Sequence, residues 1–134
     1  MKLKIAPGKP ILFFVHIKGP KGSREMRAVL DTGSQCSVIS VQDARLLGYD
    51  AFLDRESFPG VGTVAVSQLQ SIETDDIVLQ EVSVGDLVAH DVRCLPYALN
   101  WVGGLDVILG LSFLQHFKTT IDYGTGYLTI EPLE

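Results

Sequence analysis

The sequence predicts a mainly β fold that contains one or two short helices. Short runs of β-branched and aromatic residues recur along the chain, and Gly, Pro and Asp interrupt them at short intervals. The 134 residues are 46% hydrophobic and 20% charged, which suits a packed core and argues against disorder. No stretch has the composition of a linker, so we predict a single domain over residues 1–134.

The predicted strands follow one another with short connections. Lys21-Gly22 and Gly124-Thr125-Gly126 have the composition of hairpin turns between neighbouring strands. The strands are predicted at 11–18, 24–30, 36–39, 64–73, 77–84, 87–95, 106–109, 118–122 and 127–131.

One helix is signalled at both of its ends. In SVQDARLLG, Ser40 is a candidate N-cap, Asp43 completes a capping-box-like pattern, and Gly48 ends the helix in a left-handed conformation. The residues predicted to face the core are Val41, Ala44 and Leu47. A second, shorter helix is predicted in LSFLQHF, where the spacing places Leu111, Leu114 and Phe117 on one face.

Charge and cysteine content exclude several classes of function. The net charge of −5 is spread along the chain without a Lys/Arg cluster, which argues against nucleic acid or anionic lipid as a partner. Cys36 and Cys94 are too sparse for a disulfide framework and lack zinc-type spacing, so we predict two reduced, partly buried thiols, with Cys36 packed inward. The three histidines show no ligand pairing, and we expect neither a metal nor a cofactor.

The N-terminal segment predicts a strand and not a targeting signal. Its apolar run ILFFV is short and continues into His16 and Lys18. No window approaches the roughly 20 apolar residues of a membrane span. We therefore expect a soluble, cytoplasmic protein, and leave open a membrane anchor in a longer natural chain.

The stretch AVLDTGSQCSVIS, residues 28–40, contains the strongest candidate for chemistry. Asp-Thr-Gly is also a common turn composition that could simply join two strands. Asp31, however, follows the apolar run 28–30 without a polar spacer. A carboxylate at the end of a buried strand is costly unless hydrogen bonds or a function hold it there.

Three motifs, in their order along the chain, resemble those of the retropepsin-like aspartic proteases. The resemblance is closer to the cellular or bacterial-type members than to the viral ones. They are LDTGS at 30–34, the Gly-bearing FPGVGTVAV at 58–66, and VILG at 107–110 followed by LSFLQHF. The resemblance covers residues 11–131 and implies a closed, mostly antiparallel β-barrel whose active site forms at a homodimer interface. The chain departs from viral members at Leu111-Ser112, where they carry an Arg-Asp or Arg-Asn pair, so the ion pairs of the viral interface do not transfer.

The resemblance implies that Asp31 is the catalytic residue of an aspartic endopeptidase. Two Asp31 carboxylates, one from each chain, would activate a water that attacks a peptide bond of the substrate. Carboxylates about 3 Å apart share one proton, so one acts as base and the other as acid. A peptide or protein is then the substrate.

The neighbouring residues take supporting roles by the same resemblance. Thr32 would hydrogen-bond across the dimer, and Gly33 would let the backbone approach the carboxylate closely. Ser34 would donate its hydroxyl to the outer oxygen of Asp31, and we hypothesise that this lowers the pH at which the pair operates. VILG would pack beneath this loop.

The segment 58–66 resembles the flap that closes over a bound peptide in this family, although alone it could be an ordinary glycine hairpin. Gly60, Val61 and Gly62 would form the tip of the flap and bind substrate. Terminal strands near 2–6 and 127–131 are candidate dimer-interface elements.

Two further interpretations remain open from the sequence. One is a catalytically silent protein of the same fold that serves in dimerisation or peptide binding, and the other is an unrelated β-barrel binding domain. Asp106 is the candidate for an intrachain partner of Asp31, but it stands four residues before Gly110 whereas Asp31 stands two before Gly33. We therefore interpret Asp106 as a turn residue.

Overall fold

A computed structural model describes residues 1–49, 77–97, 99 and 104–133 of the chain. These residues form a closed six-stranded barrel, a separate three-stranded sheet and two short helices, which confirms the mainly β prediction. The elements in chain order are β1 (Lys2–Lys4), β2 (Ile11–Gly19), β3 (Gly22–Leu30), β4 (Ser37–Ser40), α1 (Val41–Leu46), β5 (Ile77–Val84), β6 (Leu87–Tyr97), β7 (Val107–Leu109), α2 (Leu111–Leu114), β8 (Phe117–Asp122) and β9 (Tyr127–Pro132). The predicted strand 64–73 lies outside the described residues.

The barrel has the strand order β2-β3-β7-β4-β6-β5 and closes between β5 and β2. The pairs β3–β7 and β4–β6 are parallel, and the other pairs are antiparallel. Since parallel strands end at the same edge of a sheet, β3 and β7 bring the residues that follow Leu30 and Leu109 together. The loop that begins at Asp31 therefore lies beside Gly110.

In the hairpin β2–β3, buried side chains of the barrel core alternate with exposed ones. Every second residue of β2 from Phe13 onwards is buried while the residues between are exposed, which is the pattern of a strand with one solvated face. Gly19 pairs with Gly22 at the predicted turn, and Gly22 has the left-handed φ of +134° that glycine accepts without strain. The largest fully buried core side chains of the two strands are Ile17 and Met26.

Helix α1 begins and ends as predicted. The Ser40 hydroxyl oxygen accepts the Asp43 N–H at 3.1 Å, and the same hydroxyl donates to Asp43 Oδ2. Gly48 follows the helix with a left-handed φ of +102°. Ala44 and Leu47 are fully buried, and Val41 is partly buried against the same core.

Helix α2 differs from the prediction in the face that it buries. Leu111 is 44% exposed, whereas Ser112, Phe113 and Leu114 are buried. The helix is one turn long, and Phe117 is already the first residue of β8, so a helical period cannot link Leu111 to Phe117. The prediction that Leu111 shares a buried face with Leu114 and Phe117 is therefore wrong.

The three-stranded sheet has the order β1-β9-β8 and contains both terminal segments. β1 pairs antiparallel with β9, and the N-terminal ammonium donates a hydrogen bond to Ile130 O at 2.8 Å. β8 and β9 form a hairpin across the predicted glycine turn. In the part of the chain described above, no helix is both long and apolar enough to cross a membrane.

Candidate active site

The candidate site is the loop of residues 31–36, which connects β3 to β4. Its first residue, Asp31, continues the β3–β7 pairing, because the Asp31 N–H donates to Leu109 O at 2.9 Å. Asp31, Thr32 and Gly33 are all exposed to solvent. The barrel therefore holds the base of the loop while the Asp31 carboxylate remains accessible.

The Asp31 carboxylate is oriented by the backbone of its own loop. Oδ1 accepts the Gly33 N–H at 3.0 Å, and the Asp31 carbonyl accepts the Ser34 N–H at 3.3 Å. This is the local aspartate turn that Asp-Thr-Gly favours. A Cβ at Gly33 would lie 3.4 Å from Oδ1, an ordinary contact, so glycine is not required by space within one protomer.

Ser34 does not make the predicted hydrogen bond to Asp31. Its hydroxyl donates to Cys36 O at 2.7 Å instead. A hydroxyl has a single proton to donate, and here it closes the loop on itself. The structure thus gives Ser34 a role in the shape of the loop and removes the basis for the hypothesis that it lowers the operating pH.

Gly110 lies directly beneath the loop. A Cβ on this residue would collide with the carbonyl oxygens of Ser34 and Cys36, at 2.5 Å from the latter. The loop also accepts hydrogen bonds from α2, since Leu111 N–H donates to Ser34 O at 2.7 Å and Ser112 N–H donates to Gln35 O at 3.0 Å. VILG and the start of α2 therefore pack against the loop as expected.

Two buried hydroxyls connect the loop, β7 and β6, and our sequence reasoning missed them. Ser37 Oγ accepts the Gly110 N–H at 3.1 Å, and Ser112 Oγ accepts the Ser37 N–H at 2.9 Å. The two oxygens are 2.8 Å apart, and the Ser112 hydroxyl reaches Arg93 O at 2.7 Å. Both serines are buried, and their position inside the apolar runs SVI and LSFL was the available signal.

Cys36 is exposed, so the prediction that it packs inward is wrong, whereas Cys94 is buried as expected. The alternation on which the Cys36 prediction depended starts only with β4, whose first residue is Ser37. Cys36 itself still belongs to the loop.

Asp106 lies at the opposite end of β7 from Asp31. Its Oδ2 accepts the Arg27 N–H at 3.0 Å, and its own N–H donates to Arg27 O at 3.0 Å. Arg27 and Asp31 are four residues apart on β3, which corresponds to about 13 Å at roughly 3.3 Å per residue. Asp106 thus fastens the strand start, as predicted, and is too distant to share a proton with Asp31 in the same chain.

Asp106 also contributes to the raised pKa of Asp43 in α1. Burial raises the pKa of Asp43, and the nearby Asp106 adds to this effect, while the Ser40 hydroxyl and Arg24 oppose it. Arg24 Nε lies 3.6 Å from Asp43 Oδ1. These contacts tie α1 to β3 and β7 away from the candidate site.

The remaining predicted site residues are placed as follows. Thr32 is exposed within the loop. Gly60, Val61 and Gly62 of the predicted flap lie outside the described residues. Where the structure describes the chain, no three of its His, Cys, Asp and Glu side chains are grouped as a metal site would require.

A closed barrel that presents an Asp-Thr-Gly loop defines the class of the retropepsin-like aspartic proteases. The family described as "gag-polyprotein putative aspartyl protease" matches residues 17–116, which is most of the chain. The chain belongs to this aspartyl protease family. No curated protein matches its sequence.

Two solved structures support the same fold. A retropepsin-like aspartic protease from Rickettsia conorii superimposes with a TM-score of 0.64 at 17% identity, covering 97% of this chain and 88% of that one. The retroviral protease-like domain of Ddi1 from Leishmania major gives a TM-score of 0.51 at 17% identity, with 95% of each chain covered. These likenesses confirm the retropepsin-like fold.

Proposed function

We propose that this protein is an aspartic endopeptidase and that its active site is built from Asp31 of two identical chains. The observation that carries the proposal is the exposed Asp31 carboxylate, which the Gly33 N–H orients at 3.0 Å in a loop fastened to β7. Membership of an aspartyl protease family supports the same activity.

The requirement for a second chain follows from the chemistry of the reaction. An aspartic dyad needs two carboxylates about 3 Å apart, close enough to share a proton. Within the described residues, the acidic residue that flanks the other end of β7 is Asp106, and it is engaged with the Arg27 backbone. A twofold axis that brings two Asp31 loops together supplies the missing carboxylate.

In this dimer the two carboxylates act as base and acid. The ionised one takes a proton from water while the water oxygen attacks the peptide carbonyl carbon, and the protonated one hydrogen-bonds the developing oxyanion. Proton transfer to the leaving nitrogen then breaks the C–N bond. Thr32 would hold the two loops together across the axis, and the chemistry requires neither metal nor cofactor.

The substrate is proposed to be an extended, mainly apolar peptide segment. Such a segment adds backbone hydrogen bonds to the edges of a cleft while alternate side chains enter pockets. Gly60, Val61 and Gly62 would close over it as the tip of a flap and exclude water.

The proposal is tested by incubating the protein with a diverse peptide pool from acidic to neutral pH and identifying new termini by mass spectrometry. Asp31→Asn should abolish cleavage, since an amide can neither accept the proton nor return it. Asp86→Asn, at an exposed turn between β5 and β6, is the matched control and should leave cleavage unchanged.

Cleavage that survives Asp31→Asn would overturn the mechanism. Absence of new termini at every pH, in samples shown to be dimeric, would contradict the activity and would favour the catalytically silent protein of the same fold.

A further inference from the structure

The outer face of β3 leads from Asp31 to Arg27. Every second residue of β3 from Met26 to Leu30 is buried in the barrel. Successive side chains of a strand point to opposite faces, so Arg27 and Val29 lie on the outer face together with Asp31, which continues the strand. Arg27 is exposed and Val29 is half-buried. The face that presents the Asp31 carboxylate therefore continues along β3 as far as Arg27.

Apolar side chains flank this face on both sides. Leu12 of β2 lies opposite Val29 and is 43% exposed, and Phe14 lies opposite Arg27 and is 64% exposed. Ile108 of β7 lies beside Val29 on the other side and is half-buried. Large apolar side chains that are grouped in water often mark a binding surface. These five residues form what we call the outer strip, which is continuous with the candidate active site and suits the extended, mainly apolar peptide proposed as substrate.

Arg27 places a positive charge at the far end of the outer strip. Its Nη1 lies 3.3 Å from the position that a Cβ on Gly104 would take, so the guanidinium lies beside the loop that precedes β7. In the part of the chain that the structure describes, Arg24 is paired with Asp43, and no carboxylate lies within ion-pair distance of Arg27. Asp106 contacts the Arg27 backbone N–H and not the guanidinium. The guanidinium is therefore available to a ligand.

We infer that Arg27 is a specificity-determining residue that binds an acidic side chain of the substrate about four residues from the cleaved bond. The inference rests on the proposed function. Arg27 and Asp31 are separated along β3 by about 13 Å at roughly 3.3 Å per residue, and an extended peptide bound along the outer strip advances by the same amount per residue. A planar guanidinium donates paired hydrogen bonds to a carboxylate, which favours glutamate or aspartate at that position. In the proposed dimer each chain supplies one Arg27, so the acidic residue can lie on either side of the bond.

The overall charge of the chain makes this preference specific to one position of the peptide. The net charge of −5 gives acidic peptides no general attraction to the protein. An acidic residue should therefore promote binding only where it reaches Arg27. An exposed ion pair with good geometry changes an equilibrium constant by up to about fivefold, so glutamate should be favoured over glutamine by about this factor and over lysine by more.

The first test measures cleavage of peptide libraries from acidic to neutral pH. Wild type is incubated with peptides of valine, leucine and threonine in which glutamate, glutamine or lysine occupies one position at a time, and the products are identified by mass spectrometry. The kcat/KM should be highest with glutamate about four residues from the cleaved bond. The preference over glutamine should weaken at high salt, which screens exposed charges, and below about pH 4.3, where glutamate becomes protonated.

Substitutions of Arg27 assign the preference to its side chain. Arg27→Gln should remove the preference for glutamate, and Arg27→Glu should reverse it in favour of lysine. The hydrogen bonds between Arg27 and Asp106 use the Arg27 backbone, so both variants keep them. Lys18→Glu is the matched control and should leave the preference unchanged. Lys18 is exposed on the same face of β2 as Phe14, but it lies farther from Asp31.

The second test measures binding without cleavage. Asp31→Asn protein is titrated with fluorescently labelled peptides of valine, leucine and threonine that carry glutamate, glutamine or lysine, and fluorescence anisotropy gives each dissociation constant. The glutamate peptide should bind about fivefold more tightly than the glutamine peptide. Protein that carries both Asp31→Asn and Arg27→Gln should bind these two peptides equally.

The outcomes separate this inference from the proposed function. Wild type that cleaves peptides with equal kcat/KM for glutamate, glutamine and lysine at every position would overturn the inference alone, and so would a glutamate preference that Arg27→Glu does not alter. Binding that favours glutamate only while Arg27 is present, without cleavage of any peptide, would support the recognition of acidic residues and contradict the protease. Equal binding of all three peptides to Asp31→Asn protein, without cleavage by wild type, would overturn both.

Discussion

At the scale of single residues, Gly110 determines how closely the Asp31 loop lies on the barrel. The carbonyl oxygens of Ser34 and Cys36 occupy the space in which any Cβ would be placed. Gly110 also donates its N–H to Ser37 Oγ, and this hydrogen bond requires the same close approach. The glycine in VILG is therefore explained by the contact with the loop and not by a turn.

Gly110→Ala should destabilise the protein by about 1–3 kcal/mol, the usual range for overpacking a well-filled site. Because the Cβ of alanine would displace atoms of the Asp31 loop, we expect a larger loss of peptide cleavage than the reduced stability alone would cause. Urea unfolding and peptide cleavage measure the two effects. Gly124→Ala, in an exposed hairpin turn, should alter stability and cleavage much less. A Gly110→Ala variant with unchanged stability and cleavage would contradict the close packing of Gly110 against the loop.

Ser37→Ala should cost about 1–3 kcal/mol of folding free energy, because it leaves the buried Gly110 N–H without its acceptor. Ser112→Ala should cost a similar amount, and the double variant less than the sum, since both hydroxyls serve one network. Ser23→Ala, at an exposed position of β3, is the control for loss of a hydroxyl. Additive losses would show that the two serines act independently.

At the scale of elements, the β8–β9 hairpin is held by a carboxylate. Asp122 Oδ1 accepts the N–H groups of Gly124 at 2.9 Å and Thr125 at 3.1 Å. Hydrogen bonds from Thr125 hold the pKa of Asp122 below its ordinary value of 3.8. The folded chain thus binds this proton less readily than the unfolded chain does.

The stability that Asp122 contributes should be present above pH 3.8 and be lost as the pH falls through its lower folded pKa. Asp122→Asn keeps an acceptor oxygen but removes the charge, so wild type should be the more stable protein at neutral pH. Urea unfolding of both proteins between pH 7 and pH 3 should show this difference shrinking as the solution becomes acidic. A difference that is constant over this range would contradict the role of the charge.

Elements whose ends are fixed by local chemistry were predictable from the sequence. The N-cap Ser40, the stop at Gly48 and the hairpin at Gly22 all depend on neighbours within a few residues. The exposed Leu111 and the exposed Cys36 were not predictable, because the start of α2 and of β4 depends on contacts with Ser34, Gln35 and Ser112 elsewhere in the chain. The alternating pattern of β4 does not extend back to Cys36, and the helical pattern of α2 does not extend to Phe117.

At the scale of the whole molecule, the sequence predicted the family and the position of Asp31, since LDTGS and VILG are local motifs that the barrel brings together. It could not predict that the Ser34 hydroxyl donates to Cys36 O, because the choice of acceptor depends on the folded shape of the loop. Nor did it reveal that the terminal segments pair within one chain, where β9 lies between the two edge strands β1 and β8 of the described sheet.

Whether one active site needs Asp31 from two chains can be measured by mixing wild type with Asp31→Asn. At concentrations where both proteins are dimeric, peptide cleavage by a fixed amount of wild type is measured as the variant is added. Activity should fall to about half at an equal ratio and to about one quarter at a threefold excess, since mixed dimers hold one Asp31. Activity that stays constant through this titration, while sedimentation shows that mixed dimers form, would contradict an active site shared between two chains.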